Sequence, residues 1–129
     1  MKAITIEQPW ASAIMAGVKR VENRTWATAH RGPLAIHAGK TVDPTAEESL
    51  RAAGIDPAPF RNAPRGAILG TVELVDVVRL NEQRTLPGYA DDLTEDPLAT
   101  GPICWVLASP RPLAEPIPYR GQQGLWRYR

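Results

Sequence analysis

The chain has one cysteine, Cys104, one phenylalanine and almost no net charge. No apolar run approaches the length of a membrane span. A lone cysteine excludes an intrachain disulfide and a cysteine-based metal cage, and makes a reducing cytoplasm the expected compartment. The opening "MKAITIEQPW" has no apolar h-region, so a soluble chain without a membrane partner is expected. Fifteen Lys and Arg against 14 Asp and Glu leave a formal charge of +1. That balance argues against a long basic stripe and against a preference for duplex DNA, so any nucleic-acid site must be local. Thirteen prolines beside a single phenylalanine favour short strands and turns over a helical bundle. What is present, 129 residues with 43% hydrophobic content, suffices for one domain over residues 1–129 with one core.

Along the chain, "KAITIE" alternates as a strand, with Ile4 and Ile6 on one face and Ala3 and Thr5 on the other. Pro9 suits a first helical turn, Trp10, Ile14 and Val18 recur at helical spacing, and Gly17 can end that helix. Residues 20–26 read as extended, and "PLAIHA" as a strand placing Leu34 and Ile36 opposite His37. Asp43 and Pro44 mark the start of a second helix, which Gly54 stops. "GAILGTVELVDVVRL" is the longest strand signal; "PICWVLASPRPL" and "GQQGLWRYR" give two more strands. Residues 81–101 are polar and irregular, a surface excursion of the kind that frames a site. Some six strands and two helices indicate an α+β fold, a small β-barrel with flanking helices, the first of which covers a cleft at one opening.

Several residues in this pattern carry chemistry. Within "GVKRVENRTW", Arg20, Glu22, Arg24 and Trp26 share one face of the extended segment, Val21, Asn23 and Thr25 the other. Such a row either blunts an exposed edge strand or holds a polar planar ligand. Lys19 follows Gly17, where a turn can aim it across the barrel mouth. Glu73 shares alternation with Leu69, Thr71, Val75 and Val77, an apolar row in which a carboxylate needs a cation. Lys19 or Arg24 can supply that cation, in a structural pair or a catalytic one. Trp10, on the covering helix, is placed to stack on a ligand. His37 and Lys40 flank "HAGK", where the histidine is either hydrogen-bonded in place or near a ligand; it has no companion at metal-ligand spacing, and no metal or cofactor is expected. "GK" lacks the rest of a phosphate loop. Cys104 lies in an apolar strand without a neighbouring base, so no nucleophilic triad is indicated. The residues therefore describe a mixed-charge cleft suited to proton transfer or to recognition of a planar polar molecule.

The stretch "QPWASAIMAGVKRVENRTW" contains a Gly-x-Lys-x-x-Glu-x-Arg pattern as Gly17, Lys19, Glu22 and Arg24. With "RGPLAIHAGK", "GAILGTVELVDVV", "GPICWVLASPRPL" and "GQQGLW", it resembles the ASCH domain family over nearly the whole chain. That family is similar in fold to the PUA domains of RNA-modifying proteins. The resemblance implies a PUA-like β-barrel whose cleft under the first helix binds single-stranded RNA or a modified nucleoside, through Gln8, Pro9, Trp10, Arg24, His37 and Lys40. Some members are similar to amidohydrolases that deacetylate N4-acetylcytidine with a lysine, a threonine and a glutamate. Lys19 and Glu73 match the lysine and the glutamate, while Glu22 stands at the threonine position, which makes Lys19, Glu73 and Glu22 the catalytic candidates. Other members are associated with RNA cleavage, and a non-catalytic RNA-binding module is the remaining alternative.

Overall fold

The computed structural model describes residues 1–80 and 95–129. Six strands form one mixed sheet: β1 (Lys2–Gln8), β2 (Val21–Arg24), β3 (Gly32–Val42), β4 (Ala67–Arg79), β5 (Ile103–Pro118) and β6 (Leu125–Arg127). Helices α1 (Trp10–Met15) and α2 (Ala46–Ala52) and a short 3-10 turn at Ala58–Phe60 complete the α+β fold. The spatial order is β2-β5-β4-β3-β1-β6. Only β1 and β3 run parallel; every other pairing is antiparallel. Residues 81–94 of the expected excursion over 81–101 lie outside the described residues.

Alternation explains why these segments pair as they do. Ile4 and Ile6 of β1, Leu34 and Ile36 of β3, and Ile103, Trp105 and Leu107 of β5 all enter one cluster, capped by Ile14 and Met15 of α1. The alternate residues Ala3 and Ala35 pack with Ile68 and Trp126 on the opposite face. Burying each of the larger aliphatic side chains contributes about 1.5–3 kcal/mol.

The sheet curls without closing among the described residues, which differs from a complete barrel. β6 is only three residues long and pairs with β1 alone, so no β2–β6 ladder forms. A side chain spans the gap instead: Arg24 on β2 donates through Nη2 to the Thr5 carbonyl of β1 at 2.8 Å.

The β4–β5 ladder is interrupted by register shifts between Ile68 and Gly70, Thr71 and Glu73, and Leu74 and Asp76. The first two shifts carry their extra residues on β5. Val75 is the extra residue of β4 in the third, and Leu69 is its extra residue where the β3–β4 ladder shifts between Ile36 and His37, so the side-chain phase of β4 changes at 69 and at 75. Leu69 and Val77 therefore face the same cluster as Val72 and Leu74, and the unbroken row expected from Leu69 to Val77 does not exist. No helix among the described residues is long and apolar enough to cross a membrane.

Candidate functional site

Gly17 lies just past the Ala16 cap of helix α1, and its φ of +82° is accessible to glycine at little cost. The turn lets the backbone amides of Val18 and Lys19 both return to the Ala13 carbonyl, at 3.1 and 3.2 Å. Lys19 is thereby folded under the helix, and it is 4% exposed rather than at a rim. Its ammonium donates to the Val21 carbonyl and to Glu22 Oε1, the latter at 3.3 Å, and lies 5.5 Å from the Trp10 ring centroid, within cation–π range.

Glu22 carries a second cation on its other oxygen, with Arg24 Nη2 3.1 Å from Oε2. The row Lys19–Glu22–Arg24 thus holds two positive charges on one carboxylate. The alternation expected for residues 20–26 places Glu22 and Arg24 together, while Val21 packs into a separate apolar cluster with Cys104 and Val106. The Nε–H of Arg24 is buried and has no acceptor among the described residues.

These side chains line a cavity of about 550 Å³ open to solvent. Trp10 forms one wall, Thr5 to Glu7 of β1 another, and Pro97, Leu98 and Thr100 a third. The described part of the expected excursion therefore lines this cavity. Asp43 completes the wall beside Trp10, accepting the indole N–H at 2.8 Å on Oδ2. On Oδ1 it accepts the backbone N–H and the hydroxyl of Thr45, at 2.9 and 2.8 Å. The Trp10 hydrogen bond, then the two from Thr45, hold the Asp43 carboxyl below the ordinary carboxylate range, against an opposing effect of partial burial.

Glu73 is not in this cavity, and no ion pair joins it to Lys19 or Arg24 among the described residues. It lies half-buried opposite Pro33 and Ala108. Because the β-bulges turn Val72 and Leu74 into the core, Glu73 faces the other side of the sheet, and no apolar row remains for it to interrupt.

Gln8 and Pro9 also lie outside the cavity, in a separate concavity between β1 and α2. Gln8 is 2% exposed, and its amide is committed to the fold. Its Oε1 accepts the Ser12 backbone N–H at 3.0 Å, and its Nε2 donates to Ser12 Oγ and to the Pro64 carbonyl. It caps α1 from the end of β1, satisfying one of the helix's orphan donors.

His37 and Lys40 stand on the far side of β1. The His37 ring bonds the Tyr119 carbonyl through Nε2 at 2.7 Å and Thr5 Oγ1 through Nδ1 at 3.2 Å, packed edge-on to Trp126. The hydrogen-bonded reading of this histidine therefore holds.

Three residues of the first cavity escape sequence reasoning. Thr5 contributes a carbonyl, for which no side-chain signal exists. Asp43 reads in sequence as a helix-start residue, a role its Thr45 contacts satisfy while its other oxygen holds Trp10. Asn23 anchors the 98–101 segment, donating to the Leu98 carbonyl and accepting from the Thr100 and Gly101 amides at 2.9–3.0 Å. An asparagine amid charged neighbours is the visible signal for such a clamp.

Among known proteins, the human and mouse proteins named activating signal cointegrator 1 are each 30% identical to this chain over 96% of its length. The chain spans only 22% of the length of those relatives. An ASCH structure from Zymomonas mobilis superimposes with a TM-score of 0.59 at 17% identity, covering 99% of this chain and 87% of that one. A mutant form of the same bacterial protein gives 0.56 at 16% identity, covering 99% and 89%. The ASCH domain family profile matches residues 4–116. The chain belongs to the ASCH domain family, a PUA-like fold family associated with RNA binding.

Proposed function

We propose that the cavity between α1 and β2 binds a base of single-stranded RNA or a modified nucleoside. The carrying observation is the Lys19–Glu22–Arg24 row, with Lys19 and Glu22 buried and Arg24 half-buried, beside the Trp10 ring. A planar base offers a face for the indole and an edge for charged donors, which is how single-stranded RNA readers combine stacking with hydrogen bonding. The volume of about 550 Å³ lies within the range of small-molecule sites. Arg24 supports the same reading. Its buried Nε–H lacks a described acceptor, a condition costing about 1–3 kcal/mol that a slight shift toward a ligand carbonyl would recover.

Hydrolysis of an acylated exocyclic amine such as N4-acetylcytidine is the finer version of this reading. Water would add to the acetyl carbon, the carbon–nitrogen bond would break, and a proton would pass to the leaving amine. Lys19 has one N–H beyond those given to Val21 and Glu22, and that donor suits a developing oxyanion. Glu73 stands outside the cavity, each oxygen of Glu22 is already held by a cation, and both oxygens of Asp43 accept hydrogen bonds. That leaves Glu7 at the β1 wall as the one lining carboxylate not held in this way among the described residues; it is exposed, with no described partner to orient it as a base. Binding is therefore the function this geometry supports best, ahead of turnover or RNA cleavage. The lone buried Cys104 suits a reducing, cytoplasmic setting for such a partner.

Calorimetric titration with nucleosides, N4-acetylcytidine included, and with short single-stranded RNA tests the proposal. Trp10→Ala should weaken binding by about ten-fold or more, the scale of one base–aromatic stack. Absence of binding to every nucleoside and RNA, or affinity indifferent to both Trp10→Ala and Arg24→Ala, would overturn it. Mass analysis of the recovered nucleosides reports any deacetylation in the same samples.

A further inference from the structure

A second cavity, about 880 Å³ and open, lies on the other side of β1 between the end of β3 and residues 118–123. Its floor is rigid. The Trp126 indole N–H donates to Thr5 Oγ1 at 3.2 Å, the Thr5 hydroxyl meets His37 Nδ1, and His37 Nε2 meets the Tyr119 carbonyl. With the imidazole proton on Nε2, the Thr5 hydroxyl can donate to Nδ1 while accepting from the indole, so every group in the chain is satisfied. This network pins the 119–121 segment directly onto the histidine: a Cβ at Gly121 would stand 2.6–2.8 Å from His37 and Thr5 atoms.

The rim differs sharply from that of the first cavity. Lys40 and Arg120 are exposed and border the opening, no Asp or Glu among the described residues lines it, and Gln122 and Gln123 add neutral donors. Gly39, Gly66 and Gly121 leave stretches of backbone without side chains to obstruct approach. A concave surface with two cations, no carboxylate and little side-chain bulk favours an anion of phosphate type. Thr5 borders both cavities, its carbonyl held by Arg24 on one side and its hydroxyl by His37 on the other. The two cavities therefore adjoin across β1.

We propose that this second cavity holds a backbone phosphate of the nucleic-acid strand whose base occupies the first, with Lys40 and Arg120 as the phosphate-binding cations. The proposal rests on the nucleic-acid reading of the first cavity, and two independent measurements separate its failure from failure of that reading. The first titrates inorganic phosphate alone into the isotope-labelled protein and follows Lys40, Arg120 and Gly121 amide resonances. Selective shifts there are expected. The second measures binding of a short single-stranded RNA against salt concentration for the wild type and for Lys40→Gln/Arg120→Gln, whose unfolding midpoint controls for folding. The logarithmic salt slope should fall by about 0.7, the contribution of the one phosphate that the pair no longer neutralises. An RNA that binds with an unchanged slope in the double variant overturns the proposal, whatever inorganic phosphate does. Phosphate shifts at these residues without any RNA binding would overturn the strand assignment and the nucleic-acid reading together, leaving a free-anion site. The absence of both the phosphate shifts and the slope change would overturn the site itself.

Discussion

The Trp10 indole donates to Asp43 Oδ2 at 2.8 Å, tying the first residue of α1 to the segment that leads into α2. The bond fixes the ring plane that forms one wall of the first cavity, and it also lowers the carboxyl's proton affinity. A group whose folded-state pKa is depressed contributes stability that is present above its unfolded pKa and disappears as pH falls through the folded one. For Asp43 that window lies below about pH 4, the ordinary aspartate range. Denaturant unfolding of the wild type should therefore lose stability on acidification through this range, and Asp43→Ala should lose less. Glu47, held low by its hydrogen bond from Arg61, shifts with pH in the same direction in both proteins, so it cancels in the difference. Parallel acid profiles for the two proteins would refute the coupling.

Lys19 and Glu22 should be costly to separate. Both side chains are nearly buried, at 4% and 12% exposure, and deleting one partner of such a pair leaves an uncompensated charge. Glu22→Ala should destabilise by about 3 kcal/mol, because it strands Lys19 beneath the helix. Lys19→Ala should be milder, since Glu22 keeps Arg24. Urea unfolding of both single variants and the double variant gives the coupling energy. Additive effects would mean that the two groups do not depend on one another.

How far the sequence foretells these features depends on bulges. In β1, β2 and the first part of β3 the side-chain alternation is unbroken, so Ile4 with Ile6, Glu22 with Arg24, and Leu34 opposite His37 are all legible. The turn at Gly17 that aims Lys19 is legible for the same local reason, although the depth of its burial is not. In β4 the extra residues Leu69 and Val75 reset the phase, the first against β3 and the second against β5, and nothing in that strand's own composition marks them. They arise from how it pairs with its two neighbours, and they misplace Glu73. Gln8 shows the converse failure: a polar residue beside an apparent site reads as a ligand-binding group, whereas its spacing of four from Ser12 signals a helix cap. The bonds from Trp10 to Asp43 and from Arg24 to Thr5 join residues far apart in the chain, and only the curled sheet brings them together.

Gly70 should tolerate no side chain. It sits at one of the β4 register shifts, where an added Cβ would collide with the Arg111 carbonyl oxygen and stand 2.8 Å from both Pro112 Cα and Met15 Sδ. Two of these three neighbours are backbone atoms, which cannot swing aside as a side-chain terminus can. Gly70→Ala should therefore cost about 2 kcal/mol or more in unfolding free energy, the scale of overpacking a filled interior. Gly54→Ala is the useful contrast, since nothing stands within 4 Å of a Cβ there and only its φ of +78° opposes the change. A Gly70→Ala protein as stable as the wild type would show that the β4–β5 crossing relaxes freely.

Glu73 and Glu22 should separate cleanly in a binding assay, although both are candidate carboxylates from sequence. Glu73 is half-buried opposite Pro33 and Ala108, away from the cavity, with neither Lys19 nor Arg24 as a partner. Glu73→Gln keeps the shape and removes only a charge, so nucleoside affinity should be unchanged and stability should move by no more than about 0.5 kcal/mol. Glu22→Gln preserves shape as well, yet it removes the counter-charge from two cations at once. Lys19 would keep the Val21 carbonyl and the Trp10 ring, and Arg24 would keep the Thr5 carbonyl, so the fold should survive with a cavity one unit more positive. Uncharged nucleosides should then bind more weakly, because the donors are no longer held in register, while the corresponding monophosphates should lose less or gain. Calorimetry on nucleoside and monophosphate pairs reads this difference directly. If Glu73→Gln weakens nucleoside binding ten-fold while Glu22→Gln leaves it intact, the ligand sits against the opposite face of β4 and the cavity between α1 and β2 is not the site.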